Sequence, residues 1–225
     1  VDVDVNTSPT VNGSIESLSL SLNTPVLIGA VTKSAEGPMN QSILYNSKKG
    51  QTYTKRYLTP FGEYLPMRSI AEKVSRYSNQ IIDFKAGDEN VVFDANKIRF
   101  NTLICYELID DSFVSEAIND FLVVQTNNAT FGDTNQLDQQ INIARVRALE
   151  SGRGIAYVST TGTTAFITSN GKIDSSLEKF KPATLKGQII ISRGHTYRQS
   201  FGHLIEPFAM IVFVGLLLLR VRWRS

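Results

Sequence analysis

Phe100-Asn101-Thr102-Leu103-Ile104-Cys105-Tyr106-Glu107 lies near the middle of the chain. A short, mostly apolar run of strand length ends on the only cysteine of the chain, and a tyrosine and a carboxylate follow at once. The reactive form of cysteine is the thiolate, so a nucleophilic cysteine needs a base, a cation or a helix N-terminus beside it. A turn after Cys105, leading to a helix near Asp110, would aim backbone N–H groups at a developing oxyanion. The plainer alternative is a small buried apolar residue closing a strand.

Upstream lies a dense polar and aromatic block, Lys55-Arg56-Tyr57-Leu58-Thr59-Pro60-Phe61-Gly62-Glu63-Tyr64-Leu65-Pro66. Lys55 is the candidate oxyanion cation, and Glu63 and Glu107 are candidates to hold it charged and oriented. Taken singly, Lys55 reads as a surface lysine, Phe61 to Tyr64 as a loop with a glycine turn, and Glu107 as a strand-end charge. Together with Cys105 they point to a nucleophile that forms covalent acyl intermediates, hence to acyl transfer or amide hydrolysis.

Outward from this centre, strands alternate with helices, which predicts an α/β fold. Asn12 to Leu22 reads as a helix, with Ile15, Leu18, Leu20 and Leu22 apolar. Pro25 to Val31 reads as a strand covered on both faces, and Ser42 to Asn46 as a second. Ser47 to Gln51 is the turn into Thr52 to Lys55. Met67 to Tyr77 is a short helix. Val91 to Asp94 and Ile98 to Cys105 are strands joined by Ala95 to Lys97, and Asp110 to Asp120 is helical. Phe121 to Thr126 is a buried strand. Gln136 to Ser151 is the clearest helix, with Leu137, Ile141, Ala144, Ala148 and Leu149 at near-helical spacing and Gly152 as its stop. Ile155 to Ser159 and Thr164 to Thr168 flank a Thr161-Gly162-Thr163 turn, and Ser169 to Lys172 makes a hairpin that renders the sheet mixed. Gln188 to Ser192 closes the body.

A chain of 225 residues can bury one substantial core, and 42% hydrophobic with 20% charged residues is a globular balance. The net charge is +2, and without Arg220, Arg222 and Arg224 the remainder is nearly neutral. With no basic stripe interleaved with aromatics, nucleic-acid binding is not expected. One cysteine cannot make an internal disulfide, and no Cys/His cluster has metal spacing, so neither metal nor cofactor is expected. His195 and His203 lie far from Cys105 in sequence. Val1 to Pro9 is polar and carries no signal-peptide pattern, which suggests the C-terminal piece of a longer protein or a gene product with a misplaced start.

The tail runs Leu204-Ile205-Glu206-Pro207 into an unbroken apolar stretch from Phe208 to Leu219. With its flanks it reaches the length of a membrane span, with Glu206 near one interface and Arg220 and Trp223 near the other. The alternative is a buried core helix. By the positive-inside rule the arginine end is cytoplasmic and the body lies outside the membrane.

The Lys55, Pro60-Phe61-Gly62-Glu63-Tyr64 and Ile104-Cys105-Tyr106-Glu107 segments resemble those of the carbon–nitrogen hydrolase (nitrilase) superfamily, whose sites use a Glu-Lys-Cys triad. Within it they are most similar to the bacterial apolipoprotein N-acyltransferases. Thr126 to Thr134, Ala144 to Arg153, the Thr161 and Asn170-Gly171 turns, and Thr196 to Gly202 also resemble that family. The resemblance implies a four-layer α-β-β-α sandwich lacking its first strand, spanning residues 1–200, followed by one C-terminal transmembrane helix and basic tail in 201–225.

The activity implied is transfer of a fatty acyl chain from a membrane phospholipid to the N-terminal amine of a diacylglyceryl apolipoprotein at the bacterial inner membrane. Cys105 would be the nucleophile and Lys55 and the Tyr106 N–H the oxyanion donors, with Glu63 and Glu107 in positioning roles. Phe61, Tyr64 and Phe131 are candidates to line the acyl entrance, core packing being the alternative. The family's general base, a glutamate at an early strand end, has no counterpart here; neither Glu16 nor Glu36 sits at an apolar strand end. A membrane-tethered amidase and a non-catalytic membrane-anchored binding domain are the other readings.

Overall fold

A computed structural model of the chain describes residues 3–68, 82–117 and 119–222. Its elements are α1 (Pro9–Leu22), β1 (Val26–Ser34), β2 (Gly37–Asn46), β3 (Lys48–Thr54), β4 (Phe93–Ala95), β5 (Ile98–Ile104), a 3-10 turn (Cys105–Ile109), α2 (Ser112–Glu116), β6 (Phe121–Thr126), a second 3-10 turn (Ala129–Phe131), α3 (Asn135–Ser151), β7 (Ile155–Ser159), β8 (Ala165–Ile167), β9 (Ile173–Ser176) and α4 (Tyr197–Arg222). The helix expected over Met67 to Tyr77 lies, from residue 69 on, outside the described residues.

Two sheets form, one of β1-β2-β3 and one of β4 through β9 in sequence order. The first is antiparallel. The second is mixed: β5, β6 and β7 run parallel, while β4, β8 and β9 are antiparallel to their neighbours. Period-2 alternation puts successive side chains on opposite faces. On β2, Ile43 and Tyr45 face α1 with Val11 and Ile15, whereas Leu44 points between the sheets. On β5, Phe100 and Ile104 point between the sheets and Leu103 faces the layer of α3. The layers are therefore α1, three-stranded sheet, six-stranded sheet and α3, the expected α-β-β-α sandwich.

The inter-sheet layer centres on a ring stack, with Phe93 to Phe100 centroids 5.3 Å apart and Phe100 to Phe121 centroids 5.0 Å apart. Phe93 and Phe100 are buried, and full burial of such a side chain contributes about 1.5–3 kcal/mol. Ser42 Oγ also crosses the layer, donating to Gln125 Oε1 at 2.6 Å.

The best-patterned segment folds as a helix, although Leu149, expected on its apolar stripe, is exposed. Leu137, Ile141, Ala144 and Ala148 of α3 are buried, and the helix ends where Gly152 adopts φ 65°. There the Arg153 N–H reaches Ala148 O at 3.2 Å, satisfying an orphan carbonyl.

Four expectations change, and one segment read without an assigned element is placed. On α1, Leu18, Leu20 and Leu22 are exposed, and the helix is instead latched by buried Ser19, whose hydroxyl donates to Thr24 O and Tyr45 O. The five-residue turn before Thr52 shrinks to Ser47 at φ 68°, because β3 begins at Lys48. The strand expected over Val91 to Asp94 is the shorter, shifted β4. The helix expected over Asp110 to Asp120 is only α2: Asn119 and Asp120 are committed to β5, bonding Asn101 Oδ1 and the Arg99 N–H. Gln188 to Ser192 joins no ladder; its Ile189 packs against Gly154, where a Cβ would meet Cγ2 at 2.8 Å.

Helix α4 begins at Tyr197, before the division expected between residues 200 and 201, and carries Pro207 in its interior. Its Tyr197–Arg220 stretch is long and apolar enough to cross a membrane and is almost entirely unburied, unlike a core helix. Its root is fastened to the body: Gln199 Nε2 donates to Val114 O and Ala117 O, and Arg198 pairs with Asp111 at 2.7 Å. Trp223 and Arg224 lie outside the described residues.

Candidate active site

The parallel strands β5, β6 and β7 end along one edge, and Cys105 is the first residue past β5. Carboxyl ends of parallel strands are where α/β sheets place their sites. Cys105 has φ 55°, an uncommon left-handed conformation for a residue with a side chain, and it starts the 3-10 turn that carries Tyr106 and Glu107. This sharp elbow leaves the thiol partly accessible.

Lys55 follows β3 on the opposing sheet. It is fully buried rather than a surface lysine. Its ammonium lies 2.8 and 2.7 Å from Glu63 Oε1 and Oε2 and 3.1 Å from Thr59 Oγ1. Glu63 is itself held by Asn40 Nδ2 at 2.5 Å and the Thr59 N–H at 2.7 Å. A buried cation with bidentate pairing and further hydrogen bonds on its partner is a fixed charge.

Glu107 acts on backbone. Its side chain does not engage the Lys55 ammonium. Fully buried, it accepts hydrogen bonds from Tyr53 Oη at 2.7 Å, Arg56 N at 2.7 Å, Tyr57 N at 3.2 Å and Ile104 N at 2.7 Å. The first three donors flank Lys55 and the fourth precedes Cys105, so one carboxylate staples the two sheets at the point where both site residues emerge. Burial pushes the Glu107 carboxyl up, against the hydrogen bonds that favour its charge. Arg56, which pairs bidentately with Glu116 and lies 4.7 Å above the Phe113 ring, ties the same segment to α2.

Burial likewise pushes the Cys105 thiol up. The Lys55 ammonium, Gln140 and the Tyr106 N–H pull it down, and Glu63 raises it. Burial wins, so the resting sulfur is a thiol that requires a proton acceptor. Glu63 and Glu107 are both engaged as above. Glu16 lies on α1, bonded to Asn12 and the Lys49 N–H, and Glu36 pairs with Lys85 in an exposed turn. None of the four is placed as that acceptor.

Beside the elbow, Tyr57, Leu58, Pro60, Tyr64, Tyr106 and Ile109 line an open cleft of about 570 Å³. Tyr64 is one of the residues that line this cleft. Phe61, 66% exposed, and Phe131, 37% exposed, are solvent-facing and not among the lining residues. A second cleft of about 430 Å³ opens between the sheets and includes Asn40, Ile104, Gln125 and Asn127. Among the described residues no His, Cys, Asp and Glu cluster could hold a metal ion.

Sequence reasoning missed Asn40, Thr59, Gln140 and Tyr157. One signal existed: Gln140 falls on the apolar stripe of α3, between Leu137 and Ala144, where a polar amide must find partners.

No protein-family model matches the chain. It is 30% identical to an apolipoprotein N-acyltransferase of Haemophilus ducreyi, over 84% of this chain and 40% of that protein. It is 34% identical to one of Wigglesworthia glossinidia brevipalpis, over 78% and 36%. It is 28% identical to one of Mycolicibacterium smegmatis, over 98% and 39%. The chain is a relative of the apolipoprotein N-acyltransferases. It spans less than half the length of these curated relatives.

The fold is that of the carbon–nitrogen hydrolases. An amidase from Nesterenkonia sp. superposes with a TM-score of 0.63 at 16% identity, over 92% of this chain and 75% of that one. A CN-hydrolase superfamily protein from Xanthomonas campestris, solved with an arsenic adduct in its active site, gives 0.59 at 17% identity, over 93% and 76%.

Proposed function

We propose that this apolipoprotein N-acyltransferase relative moves a fatty acyl chain from a membrane phospholipid to the N-terminal amine of a diacylglyceryl apolipoprotein, through a thioester on Cys105. The single observation that carries the reading is the buried Lys55–Glu63 pair held beside the Cys105 elbow. In the first half-reaction Sγ gives up its proton to a base and attacks the ester carbonyl. A C–S bond forms, and the carbonyl electron pair moves to oxygen, facing Lys55 and the Tyr106 N–H. The C–O bond then breaks, and the lysophospholipid leaves with a proton. In the second half-reaction the lipoprotein amine attacks the thioester carbonyl, a C–N bond forms and the nitrogen gives up a proton to the base; the C–S bond breaks, the electron pair returns to sulfur, and the base returns the proton to it.

Tyr64 and the neighbouring apolar side chains of the 570 Å³ cleft suit an acyl chain. Helix α4 would hold the catalytic body against the membrane that supplies both lipid substrates. In this reading the body (residues 1–200) is extracytoplasmic at the bacterial cell membrane and the arginine-bearing end of α4 is cytoplasmic.

The test is to incubate the full-length protein with acyl-labelled phospholipid and a diacylglyceryl-cysteine lipopeptide. Label should pass first to Cys105, in a hydroxylamine-sensitive bond, and then to the lipopeptide amine, with lysophospholipid released. Transfer at the wild-type rate by Cys105→Ala overturns the reading. The second reading is a non-catalytic binding domain. Absence of any label on Cys105 would establish that alternative, and turnover of simple amides without lysophospholipid release would establish an amidase.

A further inference from the structure

Gln140 departs from the pattern of its own helix. The stripe of α3 that packs on the six-stranded sheet runs through Leu137, Ile141, Ala144 and Ala148, all buried. Gln140 lies on that stripe, three residues after Leu137 and four before Ala144. An amide at a core-facing position costs free energy unless both of its ends are hydrogen-bonded. Both are. Tyr157 Oη, from β7, donates to Gln140 Oε1 at 3.1 Å, and Gln140 Nε2 reaches Cys105 Sγ at 3.5 Å.

The order of these contacts sets the amide's orientation. With its oxygen occupied by the tyrosine O–H, the amide presents N–H to the sulfur. Tyr157 is almost fully buried, and burial pushes its hydroxyl up to about 12, so it stays a neutral donor throughout the working range. The charged groups facing the sulfur are Lys55 from the β3 exit and Glu63 from the following loop, of opposite sign; Tyr157 faces it from β7, and the Tyr106 N–H from the elbow itself. Gln140 adds a neutral donor on the side supplied by α3.

We propose that Gln140 is a further catalytic residue, which stabilises the Cys105 sulfur by an amide hydrogen bond whenever that sulfur carries negative charge, and that Tyr157 positions the amide. The inference rests on the reading of Cys105 as the acyl-carrying nucleophile. It assigns two moments of action. Before attack, the N–H stabilises the thiolate. In the second half-reaction the C–S bond breaks, the electron pair returns to sulfur, and the same N–H stabilises the leaving group. Lys55 serves the carbonyl oxygen, so the two donors act on different atoms.

The test is alkylation of Cys105 by iodoacetamide across neutral and alkaline pH, read by mass spectrometry of the cysteine peptide in the detergent-solubilised full chain. Gln140→Leu keeps the apolar stripe and removes the donor. Its labelling rate at neutral pH should fall about tenfold and its profile should move to higher pH, since tenfold corresponds to one unit of thiol pKa. Tyr157→Phe should move the profile the same way by less, because the freed amide can turn its oxygen toward the sulfur.

A merely structural Gln140 would lower thermal stability and leave the pH profile in place. A wild-type profile for folded Gln140→Leu overturns the proposal, as does a wild-type Cys105 that does not label. Should Gln140→Leu fail to fold, Tyr157→Phe decides, and an unchanged profile there overturns it. Labelling needs neither lipid nor lipoprotein, so an unshifted profile overturns this inference alone, whereas a shifted profile without acyl transfer sinks the proposed function and, with it, the catalytic role, leaving only the hydrogen bond from Gln140 to the resting sulfur.

Discussion

The carboxylate of Glu107 accepts the Tyr53 hydroxyl at 2.7 Å, and that contact joins the sheet that presents Lys55 to the elbow that presents Cys105. With three backbone N–H groups on the same carboxylate, the relative position of cation and sulfur is set by one fully buried side chain. Catalytic distances between two sheets need such a tie, because a displacement of about 1 Å can cost about 100-fold in rate.

Glu107→Gln should therefore destabilise the protein although it removes a buried charge. An amide nitrogen would face N–H donors, and each donor left unpaired costs about 1–3 kcal/mol. The sign with pH also follows. Glu107 is raised by burial, so its contribution is fully present below the unfolded carboxylate value and is lost as pH rises through the folded one. Urea unfolding of wild type and variant at several pH values should show the largest penalty in acid, shrinking toward neutrality. A penalty that grows with pH would contradict this.

Lys55→Met should cut acylation of Cys105 by about 10²–10³-fold, the usual effect of losing one oxyanion donor. It also removes the cation that pulls the thiol down against burial, so iodoacetamide labelling of Cys105 should shift to higher pH. A variant that loses acylation while keeping the wild-type labelling profile would separate the oxyanion role from any effect on the sulfur.

Gly87 tests how tightly the Lys55 strand exit is packed. Its N–H donates to Lys55 O at 2.9 Å, and a Cβ there would stand 2.5 Å from Thr54 O. Gly87→Ala must displace backbone, at a cost of about 1–3 kcal/mol. Thermal unfolding should show that loss, and acylation of Cys105 should fall with it, because the displaced atoms adjoin Lys55. Wild-type melting would mean that the segment yields freely.

Deleting residues 204–225 should abolish flotation with phospholipid vesicles and leave the melting temperature of the body close to that of the full chain. The reason is that the apolar part of α4 is unburied, while its root contacts at Arg198 and Gln199 precede the cut. Flotation of the shortened chain would place membrane affinity in the body, with the exposed Phe61 and Met67 the first residues to examine.

Local pattern made much of this protein legible. Phe121–Thr126 and Ile155–Ser159 are strands with the bounds that their apolar runs predict, and α3 stops at Gly152, because β-branched and aromatic runs and an αL glycine act within a few residues of themselves. Cys105 and Lys55 could be singled out because their chemistry is rare in those surroundings. The failures share a cause. The stretch after Glu116 leaves the helix because Asn119 and Asp120 bond a strand about twenty residues upstream, a partner that no local window contains.

The order of strands and helices, the sulfur at a strand end and the apolar C-terminal helix each depend on neighbouring residues alone and could be read from them. Packing buries Lys55 against Glu63, sets Glu107 on backbone rather than on the lysine, and brings Gln140 to the sulfur. Those contacts join elements on different sheets and layers, and a polar group's role in a protein interior is set by whichever partners packing brings within hydrogen-bond reach.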